Sequence, residues 1–217
     1  MPAKEVAPRR RRKEARPQEL TAAALALFVE KGFSATRLDE IAARAGVSKG
    51  TLYLYFDSKE ALFKAVISEG VVPTIEAGEA MLTESPDDPI ALLRTFLLSW
   101  WELIGSTPLG GIPKLMMSEA GNFPELARYY DEVVIQRGLA LLRTAVQRGI
   151  DQGLFRPVDP VLTSTLLVAP LIHLANWKHS FASCCGGKVD ALAYVDAHID
   201  LVLHGLTVRN DEQEKHS

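Results

Sequence analysis

The chain has 217 residues, 47% of them hydrophobic and 24% charged, which is ordinary globular composition and enough chain to bury a sizeable core in one or two domains. Its two cysteines, Cys184 and Cys185, are neighbours in sequence and cannot staple distant segments, so no disulfide framework is implied. The net charge of −3 hides an asymmetry: residues 1–64 carry 13 Lys and Arg against 8 Asp and Glu, whereas residues 65–217 carry 11 against 19, and a basic end of this kind points to nucleic acid.

Most of the basic excess lies in Arg9, Arg10, Arg11, Arg12, Lys13 and Arg16. Residues 1–16 therefore read as an arm able to track phosphates or the minor groove. A first helix is predicted over 17–31, with Leu20, Ala24, Leu27 and Phe28 on one face; Gly32 ends it and Phe33 folds back onto the core. Thr36 is the expected N-cap of a second helix, with Asp39 as a weak capping-box partner and Ile41, Ala42 and Ala45 as a small apolar face. Gly46 supplies the left-handed residue of a tight turn, and Ser48 caps a third helix starting at Lys49, in which Leu52 and Phe56 face the core. Asp57 is expected to cap a fourth helix, with Glu60 closing its capping box and Leu62, Phe63, Val66 and Ile67 turned inward. Gly70 and Pro73 predict a break after it.

A capped helix, a glycine turn and a second capped helix within residues 36–60 make a helix-turn-helix suited to enter the major groove. The run from Gly46 to Leu62, GVSKGTLYLYFDSKEAL, resembles the tetracycline-repressor (TetR) family of bacterial transcription regulators, and the likeness is close over residues 17–64. Leu54 departs from the family pattern, in which Tyr, Arg or His is usual. The resemblance implies that Thr51 and Tyr53 meet base edges and that Lys49, Tyr55 and Lys59 meet phosphates. Arg12, Thr36, Arg37, Ser48 and Gly50 complete the expected DNA-binding set.

Beyond the motif the pattern stays helical. Asp88 and Pro89 start a helix with Leu93, Phe96, Leu97, Trp100 and Ile104 in one stripe, before a break over 105–113. A short helix is predicted over 114–120, then a long one over 122–152 with Leu126, Tyr130, Val133, Leu141, Val146 and Ile150 as core. The last two are predicted over 160–182 and 189–208. Leu192, Val195, Ile199, Val202, Leu203 and Leu206 carry more apolar surface than one neighbouring helix covers. In the family that the chain resembles the last two long helices form a four-helix dimer interface, which places Leu166, Leu192, Val195, Ile199, Val202 and Leu206 there.

Trp100, Trp101, Met116, Met117, Phe123, Tyr129, His173, Trp177 and Phe181 supply the aromatic and thioether surface of an expected effector pocket, with His173 and Trp177 its leading pair. Other features carry less. The glycines over 105–111 lack the Lys-Ser/Thr of a phosphate loop, and the histidines and cysteines lack metal-site spacing. There is no nucleophile elbow and no coherent Ser, His and Asp order, so neither an enzyme nor a bound cofactor or metal is expected. The basic N-terminus has no apolar stretch behind it to make a secretory signal. Residues 160–177, interrupted by Thr163, Ser164, Thr165, Pro170, His173 and Asn176, read as a buried helix and a poor membrane span.

The reading is an all-α chain: an arm over 1–16, a three-helix DNA-binding domain over 17–64, a ligand-binding and dimerisation bundle over 65–210 and a polar tail over 211–217. The expected protein is a cytoplasmic homodimeric repressor, released from palindromic double-stranded operator DNA by a hydrophobic or aromatic small molecule. The alternative is a DNA-bound structural or cell-cycle interaction protein of the same fold without a ligand, which a filled interior would favour.

Overall fold

In the computed structural model the described residues are 16–84, 88–182, 184 and 189–208. They form helices joined by turns, and β pairing among them is confined to a single isolated bridge between Phe155 and Thr207. The chain divides into two compact units at Glu69 and Gly70.

The first unit begins with α1 (Arg16–Lys31), whose predicted stripe of Leu20, Ala24, Leu27 and Phe28 is buried as the 3.6-residue period requires. Gly32 ends it at φ 90°, and Phe33 turns back to stack at 5.1 Å from Phe28 and 5.8 Å from Phe63. Helix α2 (Leu38–Arg44) starts one residue later than the capping pattern suggested. Thr36 is not its cap: the hydroxyl points inward and donates to the carbonyls of Gly32 at 2.7 Å and Leu27 at 3.2 Å. Arg37 takes the cap position, and the carboxylate of Glu40, longer than that of Asp39, reaches back to the Arg37 backbone N–H at 3.3 Å. Helix α3 (Lys49–Tyr53) follows the turn, with Gly46 at φ 67° and the Ser48 hydroxyl accepting from the Thr51 N–H at 3.1 Å, both as expected. The cap of α4 (Lys59–Gly70) is Ser58 and not Asp57, since the Ser58 hydroxyl accepts from the Ala61 N–H at 3.0 Å. Its Leu62, Phe63, Val66 and Ile67 are buried.

The second unit opens with α5 (Val72–Glu84), a helix for which the sequence pattern supplied no assignment. Asp88 caps α6 (Pro89–Trp100) through the Ala91 N–H at 2.9 Å. A π-helical turn (Trp101–Gly105) and a 3-10 turn (Pro108–Gly111) then lead into α7 (Ile112–Glu119). The glycines here serve backbone packing: a Cβ on Gly110 would stand 2.5 Å from the Gly105 carbonyl oxygen. The predicted long helix exists as α8 (Pro124–Tyr130), a π-helical stretch (Asp131–Ile135) and α9 (Gln136–Asp151), ended by Gly153 at φ 69°. Helix α10 (Pro160–Lys178) is long and apolar enough to cross a membrane by length and composition, yet Ser164, Leu167, Leu171, Leu174 and Ala175 are buried within the unit. Asp190 caps α11 (Ala191–Leu206), which the His198 ring ties to α10 by a 2.8 Å hydrogen bond to the Leu167 carbonyl.

Candidate functional site

In the first unit the exposed surface of the turn and α3 is small, basic and hydroxyl-bearing. Ser48, Lys49, Gly50 and Tyr53 are exposed, and Thr51 is half-buried with its hydroxyl 2.9 Å from that of Ser48. The Lys49 ammonium stands 6.0 Å from the Tyr53 ring, so a cation and a phenol share one side of the helix. A Cβ on Gly50 would meet only the Ser48 hydroxyl, at 3.8 Å. The fold therefore does not require glycine at that position, and its bareness keeps the helix start open to close approach. Leu54 caps the helix with 81% of its surface exposed, so the departure noted in the sequence leaves an apolar side chain in the open. Arg37 is exposed and pairs with Asp39 at 3.2 Å; the hydrogen bond from Arg37 holds the Asp39 carboxyl below its ordinary pKa. An exposed pair of this kind contributes little and can be exchanged for a phosphate. Tyr55 is half-buried.

Two members of the expected set are committed elsewhere. Thr36 is 2% exposed and its hydroxyl is held by two carbonyls, so it cannot reach DNA. Lys59 donates to the carbonyls of Phe33, Ser34 and Thr36 at 2.6, 3.2 and 3.0 Å, and its ammonium lies 4.5 Å over the Phe33 ring. These contacts make it a clamp on the connection between α1 and α2, at the position where the family resemblance implied a phosphate contact. Arg12 lies outside the described residues.

The second unit contains a cavity of about 490 Å³ that opens to the surface, within the range of roughly 300–1,000 Å³ that small-molecule sites occupy. Its walls come from α5, α6 with the following π turn, α7, α8 with its π stretch, α9 and α10. Trp100, Met116 and Met117 line it, as expected. The other predicted pocket residues do not. Trp101 is buried against Gly105, where a Cβ would come 2.6 Å from its ring. Phe123 is the N-cap residue of α8, and Tyr129 stands one residue from the actual lining residue, Tyr130. His173 is exposed, while its neighbour Ile172 lines the wall; one residue along a helix is a turn of about 100° and changes the face. Trp177 stacks with Phe181 at 4.9 Å and with His173 at 6.4 Å, away from the cavity.

The cavity is lined by the same stripes that form the core, so a separate aromatic stripe was the wrong signal. A better one was present. Small residues stand at the lining positions Ala77, Ala127, Gly138 and Ala169, and a Cβ on Gly138 would meet nothing within 4 Å. No Lys, Arg, His, Asp or Glu is among the lining residues. Burial alone pushes the Tyr130 hydroxyl well above the ordinary tyrosine pKa. No group of three or more His, Cys, Asp or Glu that could hold a metal ion occurs among the described residues.

The expected interface residues also divide. Val195 and Ile199 are 0% exposed and Leu206 is buried, so these three are consumed by the chain's own core and are unavailable to a second copy; Val202 is half-buried. Leu166 on α10 and Leu192 on α11 remain in the open at 69% and 60% exposure. Leu162 and Leu201 join them as exposed apolar residues that the periodicity did not single out.

Residues 20–66 match the model of the bacterial regulatory proteins of the tetR family, and residues 91–195 match that of the AefR-like transcriptional repressor C-terminal domain. The HTH-type transcriptional regulator RutR of Escherichia coli is 30% identical over 193 residues, which is 83% of this chain and 84% of RutR. The HTH-type transcriptional repressor NicS of Pseudomonas putida is 27% identical over 194 residues, 85% of this chain and 89% of NicS. The solved structure of the fatty acid degradation regulator FadR from Bacillus halodurans aligns with a TM-score of 0.70 over 92% of this chain and 97% of that one, and at 24% identity the likeness is one of fold.

Proposed function

We propose, for a chain that belongs to the tetR family of bacterial regulatory proteins, that it represses transcription from an operator and is released when a small molecule enters the cavity of its second unit. As a helix-turn-helix transcriptional regulator it binds DNA. The observation that carries the sensing half is the cavity of about 490 Å³ among the helices of the second unit. An apolar recess of that size with an open mouth suits a hydrophobic small molecule, which gains about 25 cal/mol for each Å² of apolar surface that it buries. A filled interior would have favoured the reading without a ligand.

DNA is read by α3. Thr51 and Tyr53 contact base edges, while Lys49, Arg37 and the basic arm contact phosphates. Gly50 lets the start of the helix approach the backbone closely. The protein acts in the cytoplasm as a homodimer, in which the exposed leucines of α10 and α11 meet their copies about a two-fold axis and pair with a palindromic operator. Release is a population shift: a ligand that binds more tightly to the DNA-free state lowers operator affinity by no more than that difference.

Selection from genomic fragments should return a palindrome with half-sites about one helical turn apart, near 34–36 Å. Compounds that raise the melting temperature should then weaken operator binding in fluorescence anisotropy. Compounds that raise the melting temperature and leave operator affinity untouched would sink the sensing half. The variant Gly50→Ala tests the reader: the helix gains about 0.5–1 kcal/mol from losing glycine, so stability should rise while operator affinity falls.

A further inference from the structure

The cavity wall offers uncharged polarity only. Its polar side-chain groups are the indole of Trp100 and the hydroxyls of Thr74, Ser99, Thr165 and Tyr130, set among aliphatic side chains and methionines. Thr165 is exposed and donates to the Val161 carbonyl at 3.3 Å, and Thr74, Ser99 and Trp100 are half-exposed. Tyr130 differs from them. Its ring is buried and lines the cavity, none of the hydrogen bonds among the described residues uses its hydroxyl, and that hydroxyl is not sealed from solvent. A ligand that fills the cavity takes the place of water at this hydroxyl and leaves it unsatisfied unless it supplies an acceptor, and a charged group in such a cavity is costlier still without a countercharge.

We infer that the effector is an uncharged, largely apolar molecule bearing one hydrogen-bond acceptor, a carbonyl or ether oxygen, which accepts from the Tyr130 hydroxyl. This rests on the sensing role proposed for the cavity and specifies the chemistry of what fills it. Leu103, Met117 and Ile135 line the cavity and are also exposed, so the mouth through which such a molecule enters is apolar as well. A carboxylate or phosphate would exchange its water shell for an interior with no cation to meet it.

Two pairs of matched probes test the inference on the full chain. Phenylnaphthylamine is neutral, and anilinonaphthalene sulfonate is the same skeleton with an anion. Benzophenone and diphenylmethane differ by a carbonyl in place of a methylene. Fluorescence titration should give tight binding of phenylnaphthylamine and binding of the sulfonate at least about tenfold weaker. Displacement should rank benzophenone about threefold to tenfold above diphenylmethane, the worth of one net hydrogen bond. Tyr130→Phe should erase that ranking while keeping affinity for diphenylmethane, and removing a hydroxyl that the protein does not satisfy should leave the melting temperature level or higher.

Equal binding of the two diphenyl probes by the native chain overturns the acceptor, whether or not the variant folds. A ranking that survives Tyr130→Phe overturns the role of Tyr130. Sulfonate binding as tight as that of the neutral dye overturns the exclusion of charge. In each of those cases the cavity still takes ligands and the sensing role stands. Binding of none of the four probes overturns both the inference and the sensing role.

Discussion

Gly138 gives the sharpest test of the cavity as a physical object. It lies in α9, lines the cavity, and a Cβ built on it meets nothing within 4 Å. Gly138→Ala should therefore gain the helix propensity that glycine forfeits, about 0.5–1 kcal/mol, with no clash to offset it. For a protein of this size that raises the melting temperature by roughly 1–4 °C. Gly138→Leu adds a side chain whose burial against the apolar wall contributes about 1.5–3 kcal/mol more, and it occupies volume that a ligand needs. Differential scanning fluorimetry should find both variants more stable than the native chain, the leucine variant more so. Fluorescence titration should find phenylnaphthylamine binding intact in the alanine variant and lost in the leucine variant, with operator affinity preserved in both. A leucine variant less stable than the native chain would mean that the space is not open. A more stable leucine variant that still binds the dye would mean that ligands bind elsewhere.

Lys59→Met should lower the melting temperature, because three carbonyls in the connection between α1 and α2 lose a charge-assisted donor, at a cost of about 1.5–3 kcal/mol. A variant of native stability with a reduced salt slope of DNA binding would restore the phosphate role instead. Thr51→Ala/Tyr53→Ala should reduce operator affinity with an unchanged circular dichroism spectrum, and equal operator affinity in the double variant would remove these residues from the reader. Deleting residues 1–13 should flatten the dependence of log K on log salt by about 0.9 for each phosphate released, and a full slope in the truncated chain would make the arm a solvated tail. Burial holds the His179 pKa below its ordinary value, so the unfolded chain binds more protons, and stability should fall as pH drops through 6.5; the fall should be smaller in His179→Gln, measured by melting temperature against pH.

Much of the first unit was legible because its determinants are local. Gly46 needs a left-handed backbone, Ser48 has a hydroxyl at capping distance, and the stripes Leu20–Ala24–Leu27–Phe28 and Leu62–Phe63–Val66–Ile67 repeat with the helical period. Caps failed where a tertiary contact competed for the same group, as when Thr36 turned its hydroxyl to Leu27 and Gly32. Lys59 looked like a surface cation because nothing in its neighbourhood of sequence reveals that the carbonyls of Phe33, Ser34 and Thr36 converge on it.

In the second unit the local pattern determined that α6, α9, α10 and α11 are helices and which of their residues are apolar. It could not decide what each apolar face meets, because that depends on how helices far apart in sequence pack. The same periodicity serves a core, a cavity wall and an interface between copies. Val195 and Ile199 share a helix with Leu201, yet the first two are inside and the last is in the open. Tyr130 and Ile172 line the cavity while Tyr129 and His173 do not, and the difference is one step of about 100° around a helix whose orientation only the packed bundle sets. The sequence by itself determined the DNA-reading motif, whose geometry is written within 25 residues; the tertiary structure alone decided where the space is, since a cavity is a property of what several helices leave unfilled.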